Sequence, residues 1–204
     1  MLIILEKVYV QSIITNEDTH FRHLHYENVC VKRNRNTFMI GDCKVIMIYA
    51  KDAKTYGIGK NGKIVWKCSA DMKFFKEQTM NKYCVVGKTT AKGLPKLEGR
   101  ELLVMSRSDE EGTYTLSKLK KFIKKNKLKE IVVIGGLEIY DLFLRNNLVD
   151  LVYESNILFY NAQYQYDTYA KFSMSLSRKF PNIQEKTTVH TNDYKLQILE
   201  YTKG

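Results

Sequence analysis

The chain has no run of apolar residues long enough to cross a bilayer, although 44% of its 204 residues are hydrophobic. Together these call for a globular protein, long enough to fill one core and carry an appendage. The opening MLIILEKVYV places Glu6 and Lys7 where a secretory signal would continue its apolar stretch, so a cytoplasmic location is expected. Cysteine is sparse: Cys30, Cys43, Cys68 and Cys84 form no C-x-x-C pair and no regular framework. Reduced thiols packed as small hydrophobes are expected rather than disulfides. His20, His23 and His25 make H-x-x-H-x-H near Cys30, but the intervals match no zinc pattern, so no metal site is expected. No internal repeat or low-complexity segment interrupts the chain.

Acids are short as well, 22 Asp and Glu against 33 Lys and Arg, for a net charge of +11. Such a charge invites a nucleic-acid reading, and its distribution argues against one. Residues 1–43 balance five basic residues against five acids, so the remaining 161 residues carry the whole excess. Seven lysines fall between Tyr114 and Lys129 with no acid among them, and Leu116, Leu119, Phe122 and Ile123 recur there at helical spacing. The lysines then fill the solvated face of an amphipathic helix, with Phe122 committed to the core rather than free to stack on a base.

The apolar segments that are present are short. KVIMIYA, residues 44–50, is apolar on both alternating faces, as in a strand buried from both sides, and should be central. YCVV (83–86), ELLVMSR (101–107) and IVVIGG (131–136) read as further strands, the last running into a helix, LEIYDLFL. VDLVYESNILFY should be another strand, and IQEKTTVH and YKLQILEY a closing hairpin around Thr191, Asn192 and Asp193. Strands alternating with helices predict an α/β fold with a mostly parallel central sheet and an antiparallel C-terminal hairpin. Ahead of it, residues 1–43 alternate β-prone runs with the polar NEDTHFRHLH, which suggests a hairpin or small sheet without recognisable chemistry.

Chemistry concentrates between Gly57 and Thr79, in GIGKNGKIVWKCSADMKFFKEQT. Gly57, Gly59 and Gly62 fit G-x-G-x-x-G, but no helix opens at the last glycine, so the loop is expected as a flexible connection rather than a dinucleotide-binding turn. A helix should begin at Ser69, whose hydroxyl can cap it, and helical spacing puts Asp71, Met72, Phe75 and Thr79 near one face. Asp71 admits two readings. One is a solvated acid favoured by the helix dipole; the other is a carboxylate lining an apolar pocket, with Trp66 and the glycine loop closing over it. Gly87-Lys88-Thr89-Thr90 looks like the end of a P-loop, but position 82, which a P-loop needs as glycine, is Lys82, so nucleotide hydrolysis is not expected. A helix N-terminus beside a lysine still suits a phosphate.

In order, G-I-G-K-N-G-K-I-V-W, D-M-K-F-F-K from Asp71, V-V-G-K-T-T, L-E-G-R and I-V-V-I-G-G-L-E-I-Y follow the pattern of the dihydrofolate reductases. The chain resembles that family from about Lys44 to its C-terminus. The resemblance implies a three-layer α/β fold and NADPH-dependent reduction of 7,8-dihydrofolate, serving one-carbon and thymidylate metabolism. It implies Asp71 as the catalytic carboxylate, with Trp66 ordering the water that delivers a proton. Dihydrofolate would contact Ile48, Tyr49 and Ala50 through backbone groups, Met72 and Phe75 through packing, and Leu94 and Ile134 beside them. Arg100 would hold the glutamate tail, and Ser155 would back the acid.

For the cofactor, the resemblance implies Ala50, Ile58, Gly59, Asn61 and Gly62 on one side, and Gly87, Lys88, Thr89 and Thr90 after the second strand. Lys88, Ser106 and Arg107 would take the adenosine 2′-phosphate. Gly135 and Gly136, joined in the family by a cis bond, would lead into Leu137, Glu138, Ile139 and Tyr140 at a helix N-terminus facing the pyrophosphate. The tyrosine-rich segment from Tyr160 to Tyr169 is longer than the family's connection, keeping only Asp167 and Thr168 as a familiar pair. Val65 stands where a proline is usual and Ala91 where a tryptophan is common, which bears on inhibitor affinity. Residues 1–43 depart from the pattern as an N-terminal extension: an added element, a surface for a protein partner, or the product of a start upstream of Met39 or Met47. Two rival readings remain, a pyrimidine reductase of the riboflavin pathway, which lacks an acid on this helix, and a structural protein that keeps the fold.

Overall fold

A computed structural model of the chain describes residues 40, 42–108 and 110–204. The expectations for the histidine cluster, Cys30 and the β-prone runs before residue 40 concern residues outside that description. Nine strands are described: β1 (Lys44–Asp52), β2 (Gly57–Gly59), β3 (Tyr83–Gly87), β4 (Glu101–Met105), β5 (Glu130–Gly135), β6 (Leu151–Phe159), β7 (Thr168–Tyr169), β8 (Asn182–His190) and β9 (Tyr194–Thr202). The helices are α1 (Ser69–Thr79), α2 (Lys88–Gly93), α3 (Leu116–Lys125), α4 (Leu137–Arg145) and α5 (Leu176–Lys179), with a 3-10 turn at Lys171–Ser175.

Seven strands form one sheet in the order β4-β3-β5-β1-β6-β9-β8. The ladders among β4, β3, β5, β1 and β6 are parallel, and β9 pairs antiparallel with both β6 and β8. This is the mostly parallel sheet with a C-terminal hairpin that the alternation of elements predicts. β1 is the fourth of the seven and is buried on both faces, because Val45, Met47 and Tyr49 point into one layer while Ile46 and Ile48 point into the other. On the first face Leu119 and Ile123 of α3, Phe143 and Leu144 of α4 and Leu176 of α5 close the core. On the second, Phe74 and Phe75 of α1 and Ala91 of α2 do so. Helices therefore cover both sides, the usual solution for a parallel sheet.

The lysine-rich helix behaves as its spacing predicts: Thr115 caps α3 by accepting from the Lys118 N–H at 3.3 Å, and Leu119 and Ile123 are buried. Cys43, Cys68 and Cys84 are buried and free. Among the described residues no helix is long and apolar enough to cross a membrane. β1, β3, β4 and β5 all point their carboxyl ends the same way. That brings Ala50, Gly87, Ser106 and Gly135 to one rim, where ligands bind in open parallel sheets.

Candidate active site

Asp71 lies in the first turn of α1, only 8% exposed. Burial pushes its carboxyl above the ordinary carboxylate value, and a hydrogen bond from the Ser155 side chain pulls it partly back. No cation among the described residues offsets the charge. The solvated-acid reading of Asp71 therefore fails on burial. Ser155 reaches the acid because β6 runs parallel to β1 with Ser155 opposite Ala50, its side chain on the face that α1 covers. The cap differs from the sequence expectation: Cys68, not Ser69, occupies the N-cap position, and Ser69 falls inside the first turn. Its hydroxyl lies 3.4 Å from the Tyr194 hydroxyl of β9, a partner that helix-cap patterns do not register.

The apolar wall near Asp71 is only partly the predicted one. Ile48, Ile134, Phe75 and Leu94 belong to one cluster, and Ala50 and Trp66 to the next, with Phe74 packed against both. Met72 is 56% exposed, so α1 does not turn its whole predicted face inward. Phe74, which the spacing argument passes over, takes the inner place and meets the Tyr153 ring edge-on at 5.3 Å. Tyr49 contributes to this side through its backbone alone, since its hydroxyl donates to Glu154 on the opposite face of the sheet. Tyr140 of α4 donates to the Ile48 carbonyl at 2.9 Å. Burial first, then the nearby Asp71 charge, raises its pKa, so the phenol stays protonated.

The glycine loop is more ordered than a flexible connection. Asn61 and Gly62 both have positive φ, 51° and 72°, between Lys60 and Lys63, whose backbones exchange hydrogen bonds at 2.9 and 3.1 Å. This is the two-residue turn that Asn-Gly favours, a signal the motif reading passes over. β2 then pairs with β7, and the Asp167 carboxylate accepts from the Asn61 N–H at 2.7 Å. The long tyrosine-rich segment thus pins the loop. Tyr166 donates to Asp52 at 2.8 Å, crosses the Trp66 ring edge-on at 5.7 Å and lies so close to Gly57 that any β-carbon there would overlap its ring. Ile58 packs against the core, and Val65 and Ala91 are partly buried against the two clusters that meet near Asp71.

Around the rim, Gly87 ends β3, and Lys88, Thr89 and Thr90 open α2. Gly135 and Gly136 are joined by a cis peptide, and the positive φ of Gly135, 114°, together with Tyr140 crowding its α-carbon, leaves room for glycine alone. α4 starts at Leu137 with no side-chain cap hydrogen bond, so the first-turn N–H groups of Leu137 and Glu138 have no partner within the helix. The Ile139 N–H returns to the Gly136 carbonyl at 2.9 Å. Two of the three predicted phosphate contacts are drawn together around an acid that carries no signal in the sequence: Lys88 and Ser106, with Ser108, bond the Glu110 carboxylate. Arg107 stands apart from them, 3.5 Å from Glu138. Arg100 lies beside a cleft of about 390 Å³ with Lys76 and Lys96, and its buried Nε and Nη1 have no hydrogen-bond partner among the described residues. Unpaired buried guanidinium donors are costly, and a carboxylate would satisfy both.

The dihydrofolate reductase family model matches residues 44–203. A dihydrofolate reductase of Lactococcus lactis is 29% identical over 172 residues, covering 78% of this chain and 97% of the relative. Dihydrofolate reductase type 8 of Escherichia coli is 28% identical over 148 residues, covering 66% of this chain and 85% of the relative. Among solved structures, dihydrofolate reductase from Enterococcus faecalis, in complex with NADP(H) and RAB-propyl, superposes with a TM-score of 0.62 at 22% identity, over 79% of this chain and 96% of that one. A family match spanning well over half of the sequence, on a sheet of the same architecture, makes this chain a member of the dihydrofolate reductase family.

Proposed function

We propose that the chain reduces 7,8-dihydrofolate to 5,6,7,8-tetrahydrofolate with NADPH, using Asp71 to hold the pterin. The observation that carries this reading is the carboxylate itself: buried, without a cation among the described residues, and bonded to the Ser155 hydroxyl. An ionised carboxylate only accepts hydrogen bonds, so what would complete its surroundings is a planar group with adjacent N–H donors, as on the amide edge of a pterin. Asp71 then orients the ring and favours its protonated form electrostatically. Trp66, fixed between Phe159 and Tyr166, orders the water from which N5 takes its proton. Phe75, Leu94, Ile48 and Ile134 exclude other water from the ring, and Arg100 holds the glutamate carboxylate with its unpaired donors.

The residues present fit NADPH on two observations. The uncapped start of α4 beside Gly135 and Gly136 offers backbone N–H groups to a pyrophosphate. Lys88 and Ser106 already gather an anion, as a 2′-phosphate site must. When bound, NADPH supplies the hydride, from nicotinamide C4 to pterin C6. α2, six residues long, adds little dipole of its own, so Lys88 supplies the charge there. On this reading residues 44–204 form the catalytic domain, which the family match at residues 44–203 supports. Purified protein mixed with NADPH and dihydrofolate should lose the reduced-nicotinamide absorbance only when both are present; consumption of a riboflavin-pathway pyrimidine instead would overturn the assignment.

A further inference from the structure

The site assigned to the cofactor's 2′-phosphate holds an anion of the chain's own. Glu110 sits in the loop between β4 and α3, and its carboxylate accepts from the Lys88 ammonium, from the Ser108 hydroxyl at 2.5 Å and from the Ser106 hydroxyl at 3.3 Å. Ser106 and Ser108 lie 3.1 Å apart, hydroxyl to hydroxyl, so the donors form one cluster. The loop is built to present this acid. Tyr114 donates to the Val104 carbonyl at 2.8 Å and Ser106 to the Tyr114 carbonyl at 3.0 Å, which folds the segment back along β4. The N–H and hydroxyl of Thr113 both return to the Glu110 carbonyl. Hydrogen bonds from Lys88 first and then Ser108 hold the Glu110 carboxyl down at about 2, so it is charged wherever the enzyme works.

We propose that Glu110 is a specificity-determining residue of the cofactor site, an internal rival of the NADPH 2′-phosphate that narrows the preference for NADPH over NADH. The proposal rests on the reading of Lys88 and Ser106 as the phosphate contacts. A phosphate monoester brings a charge of about −1.5 to −2 to these donors. Either the carboxylate must leave Lys88 or the two anions must share it, and both weaken NADPH. NADH meets no such opposition, because its free ribose hydroxyl can donate to a carboxylate, the arrangement by which acidic residues select NAD in dinucleotide-binding folds. Both partners are close to half exposed, with side-chain exposures of 45% for Lys88 and 41% for Glu110. Solvent therefore keeps the effect moderate and sensitive to salt.

The test is a set of equilibrium titrations of the full chain, its Glu110→Gln variant and its Lys88→Ala variant with NADPH, NADH, 2′,5′-ADP and 5′-AMP. Glu110→Gln should tighten NADPH and 2′,5′-ADP by about threefold or more, and leave NADH and 5′-AMP unchanged or weaker, with the gain shrinking as salt is raised. If the variant binds NADPH less tightly, Glu110 supports Lys88 instead of competing for it, and the proposal is overturned. Equal shifts for both cofactors, or none, overturn it as well. Lys88→Ala separates this from the reading beneath it. A lowered NADPH-to-NADH ratio in Lys88→Ala beside an unresponsive Glu110→Gln removes only the role of Glu110, whereas an unchanged ratio in Lys88→Ala removes the phosphate assignment and the proposal together.

Discussion

Replacing Asp71 by Asn separates the two things a buried carboxylate does, which are to act on a ligand and to strain the empty protein. The acid is 8% exposed, has the Ser155 hydroxyl as its side-chain partner and has no compensating cation among the described residues. Its carboxyl therefore titrates above the ordinary 3.8, and the sign of the consequence follows. Ionising a group whose folded pKa is raised costs stability: the cost is absent below the ordinary value, grows as pH rises through the folded value and is complete above it. Asn keeps the shape without the charge, and its amide oxygen can accept from Ser155 as the carboxylate does. The variant should match or exceed the parent by about 0.5–2 kcal/mol at neutral pH, with the advantage closing as pH falls toward 4. Turnover should drop by about 10²–10³, the usual cost of removing a preorganised electrostatic group. Urea melts of both unliganded proteins at neutral and acidic pH, with steady-state rates, decide it. An active variant refutes the catalytic assignment, and an inactive variant that is clearly less stable at neutral pH refutes the argument from strain.

Arg100→Gln should raise KM for dihydrofolate by about tenfold or more with kcat little changed, since one or more charge-assisted bonds of about 1.5–3 kcal/mol are lost from binding alone; steady-state kinetics check it. Changing Lys88 and Arg107 together to Ala should cut the preference for NADPH over NADH by about tenfold, measured as the ratio of kcat/KM values. Gly57→Ala should destabilise by about 1–3 kcal/mol in urea melts, because its β-carbon would lie 2.2 Å from the Tyr166 ring, which its bond to Asp52 and its packing on Trp66 hold in place. A chain beginning at Met39 should keep the reductase activity, since the family match starts at residue 44 and Ile40, which packs on the core, is retained. A folded but inactive short chain would place part of the site in the extension.

The parallel sheet was legible because its strands are apolar on both faces, a pattern set by burial from two sides and therefore local to each segment: KVIMIYA is the central strand, IVVIGG pairs with it on one side, and YCVV lies next beyond. α3 was legible because Leu119 and Ile123 sit at helical spacing among lysines. The rim glycines and Lys88 could be placed because each follows a strand directly. What could not be read depends on partners distant in sequence. Ser69 faces Tyr194, 125 residues away, instead of capping its helix. The loop at Asn61 is fixed by Asp167, 106 residues on, so the G-x-G-x-x-G spacing says nothing about its order. Glu154 bonds the Tyr49 and Tyr201 hydroxyls inside the sheet's other layer, although strand periodicity alone reads as hydrophobic alternation. Met72 and Phe74 exchange places on α1 because the Tyr153 ring receives Phe74. Glu110 carries no signal in the sequence, because its place beside Lys88 depends on its loop folding back along β4.

The central claim is that this site passes hydride from NADPH to a pterin held by Asp71, and isotope transfer tests it most directly. The full chain would be supplied with NADPH carrying deuterium at the transferable C4 position, together with 7,8-dihydrofolate, and the product analysed by mass spectrometry and proton NMR. The account predicts tetrahydrofolate with one deuterium at C6 and a solvent-derived proton at N5, formed by the parent protein and at a small fraction of that rate by Asp71→Asn. Oxidation of NADPH without deuterium in the product, or equal labelling by the Asn variant, would contradict it.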